Sequence, residues 1–167
     1  MDTVMELLNT VRSDTPVMLR LLVDANGAPE LQVKALPSSS DEVRTLPLDS
    51  HPTDPFDEFL VHKTTTRGRY EEALERFPDA PDVVLWNQRG EITETCIANL
   101  VLELDGRLVT PDHRSGLLAG TLREELLDRG QLVEETLSID DLRRADRIFA
   151  INSVRGWDEI AVDTDGI

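Results

Sequence analysis

Asn99-Leu-Val-Leu-Glu-Leu-Asp-Gly-Arg-Leu-Val-Thr110 sets the character of this chain. Two apolar runs flank Asp105-Gly106, a dipeptide that accepts the positive φ angles a two-residue hairpin turn demands. The spacing predicts paired strands over Asn99 to Glu103 and Arg107 to Thr110. Upstream, strand signals cover Asp82 to Asn87 and Ile92 to Thr95, with Arg89-Gly90 as the turn between them. Downstream, Thr121 to Arg129 reads as a helix closed by Gly130. Leu132 to Thr136 reads as a strand, Ser138 caps a short helix over Asp140 to Ala145, and Arg147 to Asn152 is a buried strand. Ile160 to Val162 adds an edge. Between the first domain and this region, Phe59 to Thr64 is expected to be extended and Arg69 to Arg76 helical, stopped by Phe77-Pro78. Many short, largely antiparallel strands with interleaved helices define an α+β fold.

The N-terminal part differs. Val4, Leu7, Leu8 and Val11 recur at helical spacing, so 3–11 reads as an amphipathic helix ended by Asp14-Thr-Pro16. Val17 to Val23 and Glu30 to Ala35 read as a hairpin across Asp24-Ala-Asn-Gly27. A polar break at 36–42 precedes a short strand from Val43 to Leu46. Pro47, Pro52 and Pro55, with Asp49, Ser50 and Asp54, then read as a linker. The expected division is therefore 1–50, a helix and hairpin plus linker, and 51–167, the α+β domain.

Composition bounds the function. Within 167 residues, 33 acidic side chains against 17 basic ones give a net charge of −16, which repels phosphate backbones and argues against nucleic-acid binding. A single cysteine, Cys96, permits no intrachain disulfide and fits a reducing compartment. No apolar run approaches the ~20 residues a membrane span needs. The chain reads as soluble and cytoplasmic. His51, His62 and His113 show no metal-ligand spacing with Cys96, so no metal is expected.

Lysine occurs twice, and one copy lies in Phe59-Leu-Val-His-Lys-Thr-Thr-Thr-Arg67. Lys63 leaves the end of an apolar run, where partial desolvation frees an amine to react with an aldehyde. The same residue also reads as an ordinary solvated lysine. Glu94 alternates with Ile92 along a strand, on a face that is either partly buried or an open edge. A buried carboxylate needs a partner, and a protonated pyridine nitrogen is one. Gly116-Leu-Leu-Ala-Gly-Thr-Leu-Arg123 runs straight into a helix, whose first N–H groups can hold phosphate or hold nothing. Asn152 and Ser153 close an apolar strand with polar side chains. Arg155 and Trp157 beyond them can face a carboxylate and a ring, or simply pack.

These segments, in this order, resemble the pyridoxal 5'-phosphate (PLP) site of the class IV aminotransferase and aminodeoxychorismate lyase family, over residues 55–162. The resemblance implies a fold-type IV C-terminal domain, with 1–50 the remnant of an N-terminal domain. It makes Lys63 the Schiff-base lysine and catalytic base. Glu94, in a Thr-Glu-x-x-x-x-Asn pattern with Asn99, becomes the partner of the pyridine nitrogen. Leu118 packs on the cofactor ring, the Ile97-Ala98 peptide lies against its other face, and Gly120, Thr121 and Leu122 form the phosphate-binding helix start. Asn152 adds a second phosphate contact, Ser153 is a further cofactor-binding residue, and Arg155 and Trp157 bind substrate. The tyrosine that some members place soon after the lysine has no clear counterpart, since Tyr70 sits further on. Lys-Thr-Thr-Thr-Arg and Asn-Ser-Val-Arg-Gly-Trp look most like a lyase forming 4-aminobenzoate and pyruvate from 4-amino-4-deoxychorismate. A branched-chain or D-amino acid aminotransferase and a non-catalytic relative are the alternatives. The resemblance further implies a small-molecule amino substrate, a homodimer, and another chain as a possible source of the missing N-terminal domain.

Overall fold

The computed structural model describes residues 2–36 and 42–164, so most of the polar break lies outside the described residues. The chain forms two compact units, Met1–Ser40 and Asp41–Ile167. The first contains helix α1 (Asp2–Leu8) and the antiparallel strands β1 (Val17–Val23) and β2 (Pro29–Ala35). Their turn forms as its residues suggest: Asp24 accepts hydrogen bonds from the amides of Asn26 and Ala28 at 2.9 and 2.8 Å, and Gly27 takes φ +81°.

The second unit begins with β3 (Arg44–Pro47), α2 (Glu58–Val61), α3 (Gly68–Arg76), β4 (Val84–Trp86) and β5 (Ile92–Thr95). The hairpin β6 (Asn99–Leu104) and β7 (Arg107–Pro111) follows, with Asp105 and Gly106 at φ 52° and 73° in its turn. A 3-10 turn at His113–Ser115 leads to α4 (Thr121–Asp128), β8 (Val133–Glu135), α5 (Ile139–Arg144), β9 (Arg147–Asn152) and β10 (Gly156–Asp163). Ser138 and Asp141 form a reciprocal cap at the start of α5.

The strands run β3-β10-β9-β6-β5-β4, and β7 and β8 branch from β6. Most pairs are antiparallel; β10–β3 and β7–β8 are parallel. Leu48, just past β3, bridges Val84 on β4 and brings the two ends of this sheet together. Leu46, Leu48, Val84, Ile92, Leu100, Leu102, Ile148 and Ile160 belong to its core. Val101, Phe149 and Ile151 pack instead with Leu126 of α4. A third cluster joins Leu60 of α2 and Tyr70 and Ala73 of α3 to Val83, Leu85 and Cys96.

Two expectations need correction. Residues 58–61 are helical, not extended, because the Asp57 carboxylate caps the turn by accepting from the Phe59 amide at 3.0 Å. That local bond overrides the strand preference of Phe59-Leu-Val61, and only Leu60 of the four helical residues is buried. The C-terminal strand is longer than 160–162 and lies inside the sheet between β3 and β9. The proline-rich stretch packs against the rest of the second unit. Asp49 is buried and paired with Arg76, while Thr53 bridges Asn87. Among the described residues, no helix is long and apolar enough to cross a membrane.

Candidate active site

The loop between α2 and α3, the β5–β6 corner, the loop before α4 and the end of β9 enclose a cavity of about 330 Å³. This is the size of a small-cofactor site. Lys63, Glu94, Asn99, Leu118, Gly120, Thr121, Leu122, Asn152 and Ser153 all line it. Lys63 does not leave a strand as expected. It follows the His62 cap of α2, in a loop where Thr64 Oγ1 accepts from the Thr66 amide at 2.9 Å.

Glu94 is buried at 4% exposure. Its Oε1 accepts from the Tyr70 phenol at 2.8 Å and from the Leu118 amide at 3.3 Å. Burial pushes its carboxyl up to about 8; the hydrogen bonds from Tyr70 and Leu118 and the charges of Lys63 and Arg67 act in the opposite sense. The Tyr70 phenol is itself raised, mainly by burial and by Glu94 beside it. Tyr70 is therefore a site residue that sequence reasoning set aside. It occupies the first turn of α3, and the apolar stripe Tyr70, Ala73 and Leu74, the first two buried, was the available signal. Arg67 was also missed. Its guanidinium lies 4.6 Å from the Tyr70 ring centre and donates to the Cys96 carbonyl at 2.7 Å.

At the cavity's other wall, α4 begins at Gly120 without a side-chain cap, leaving its first amides available. Asn99 shapes this entry by donating to the Leu118 carbonyl at 2.7 Å. Asn152 likewise serves the fold: its Oδ1 accepts from the amides of Val154 and Arg155 at 3.0 and 2.8 Å, and its Nδ2 reaches the Ile97 carbonyl at 3.3 Å. Arg123 fastens the first turn of α4, donating to the Pro111 carbonyl at 2.8 Å and pairing with Glu134. Arg155 and Trp157 do not line the cavity. Arg155 borders a separate shallow recess with Asp82 and Asp158. The Trp157 ring packs edge-on against Phe149, with centroids 5.3 Å apart.

The donor set fits PLP. An amine shares the cavity with a buried carboxylate suited to a protonated ring nitrogen, and an uncapped helix start suits a phosphate. Gly120 lets Asn99 pack against this helix start, because a Cβ there would lie 2.2 Å from Asn99 Oδ1.

Comparison with known proteins gives the family. The family model described as amino-transferase class IV matches residues 2–161. A Schizosaccharomyces pombe protein, named provisionally as an aminodeoxychorismate lyase, is 32% identical over 148 residues, covering 83% of this chain and 64% of its own length. The chain thus spans just under two thirds of that relative. A Mesorhizobium loti structure, titled provisionally as an amino-acid aminotransferase, superposes with a TM-score of 0.86 at 34% identity, covering 97% of this chain and 79% of that one. The 4-amino-4-deoxychorismate lyase structure from Pseudomonas aeruginosa gives 0.69 at 25% identity, covering 92% and 59%. With a fold of mixed helices and strands and a family match along nearly its whole length, this chain belongs to the class IV aminotransferases.

Proposed function

We propose that the protein is a PLP-dependent lyase that converts 4-amino-4-deoxychorismate into 4-aminobenzoate and pyruvate. The observation that carries this reading is that Lys63 and Glu94 line one cavity with the uncapped start of α4. When bound, PLP supplies an aldehyde that condenses with amines and a ring that accepts electrons. Lys63 would hold the aldehyde, and Glu94 would hold a proton at the ring nitrogen. Leu118 and the Ile97-Ala98 peptide would flank the ring, and the amides of Thr121 and Leu122 would receive the phosphate. The substrate amine would replace Lys63 on the aldehyde, and the freed Lys63 amine would take the proton from the amine-bearing carbon of the substrate. As the enolpyruvyl group leaves the neighbouring carbon, the substrate ring becomes aromatic and that proton ends on pyruvate.

The yeast relative's name supports the lyase, while the Mesorhizobium structure's title supports a second reading, amino transfer to a 2-oxo acid. A homodimer would cover Phe59 and Ile97, which are 46% and 43% exposed at the cavity wall. Another chain could supply that wall instead. The test has two stages. Borohydride reduction after adding PLP should attach the cofactor's mass to Lys63, and Lys63→Ala should abolish this; an unmodified Lys63 rejects the proposal. Release of 4-aminobenzoate without an amino acceptor then identifies the lyase, and acceptor-dependent turnover identifies the transaminase.

A further inference from the structure

Both hydrogen bonds to Glu94 converge on Oε1: one from Tyr70 at 2.8 Å, one from the Leu118 amide at 3.3 Å. Among the described residues, none is seen to donate to Oε2. The Tyr70 ring cannot swing freely. Arg67 lies over it at 4.6 Å while holding the Cys96 carbonyl, and the ring packs with Leu60, Ala73 and Val83. The phenol thus has a fixed position from which to hold one carboxylate oxygen.

We infer that Tyr70 is a positioning residue that locks Glu94 in one orientation, so that Oε2 receives the ring N–H of a protonated nitrogen heterocycle. The inference rests on the PLP reading above and adds a residue to it. A donor on Oε1 does two things. It stabilises the ionised carboxylate, the form that can pair with a ring N–H. It also removes the rotation about the carboxyl bond that would otherwise be lost on binding. Lys63 and Arg67 are the other charged groups acting on Glu94, and both also favour its ionised form. Neither donates a hydrogen bond to it, so neither can substitute for the phenol in fixing its orientation.

The decisive variant is Tyr70→Phe, which keeps the ring under Arg67 and deletes only the donor. Two measurements separate positioning from simple support of the fold. Binding is measured by equilibrium dialysis with PLP, and with an analogue whose ring nitrogen is replaced by carbon. Loss of a hydrogen bond to a charged acceptor should weaken PLP about tenfold, and the carbon analogue less than about twofold. Equal weakening of both, or of neither, overturns the inference. The second measurement needs no cofactor. Carbon-13 labelled glutamate resonances should show the Glu94 midpoint rising in Tyr70→Phe, and an unchanged midpoint overturns the inference. If wild-type protein takes up no PLP, the functional reading fails by itself, and the carboxyl titration still decides whether Tyr70 controls Glu94.

Discussion

The Oδ1 atom of Asn99 lies where a side chain on Gly120 would have to be, 2.2 Å from the position of a Cβ. The same Asn99 amide holds the Leu118 carbonyl at 2.7 Å, so the start of α4 and the β6 strand are fitted to each other at one glycine. Gly120→Ala should therefore displace Asn99 and release the loop from Leu118. The expected outcome is a loss of about 1–3 kcal/mol in stability and roughly tenfold weaker PLP binding. Chemical unfolding and equilibrium dialysis on the same variant check both.

Glu94 makes stability depend on pH. Its carboxyl sits at about 8 in the folded protein against an ordinary value of 4.5. Below pH 4.5 it is protonated in both states, and its stabilising effect is complete. As pH rises toward 8, the unfolded chain releases the proton while the folded chain retains it, so stability falls. Glu94→Gln stays neutral and keeps an acceptor for Tyr70 and Leu118. Without cofactor, it should be more stable than wild type at pH 8, on the order of 2 kcal/mol, with the gap closing by pH 4.5. Urea titrations across that range would show it, and a pH-independent difference would contradict it. The same substitution should weaken PLP binding, which separates the site's function from its stability.

Asp49 is 1% exposed, accepts from Arg76 Nε at 2.8 Å, and offers its carbonyl to the Trp86 indole at 2.6 Å. Removing the guanidinium strands a buried carboxylate. Arg76→Ala should cost about 3 kcal/mol, and Asp49→Asn together with Arg76→Ala should recover part of that loss. Thermal unfolding of the single and double variants is the measurement.

Gly116 ends the 3-10 turn at φ +85°, and a Cβ there would sit 2.7 Å from Pro55 Cα. Backbone on both sides leaves no flexible atom to yield. Gly116→Ala should destabilise the second unit by roughly 2–4 kcal/mol. An unaltered unfolding midpoint would show that the two loops can separate at little cost.

Features whose causes are local could be seen in the sequence. Asp105-Gly106 demands its turn wherever it occurs between strands, and Ser138 with Asp141 caps α5 through atoms three residues apart. Residue type and the order of the segments single out Lys63 and Glu94, which line one cavity. The environment of Lys63 was misread because the strand preference of Phe59-Leu-Val61 hid the helix that Asp57 initiates. Tyr70 is set aside by sequence reasoning for a different reason: its bond to Glu94 joins residues 24 positions apart, and no local pattern encodes that meeting. Arg155 and Trp157 follow a polar strand end that does point to the cavity, but the β9–β10 turn carries them past it.

The bridge between Leu48 and Val84 also protects the molecule from its neighbours. Left apart, β3 and β4 would each present a row of bare amides and carbonyls that another molecule's strand could copy onto itself. Where Leu48 meets Val84, the Asp49 amide already bonds the Val84 carbonyl, so that point is closed to such copying. A substitution that pries Leu48 loose should therefore be felt first as self-association in concentrated solution.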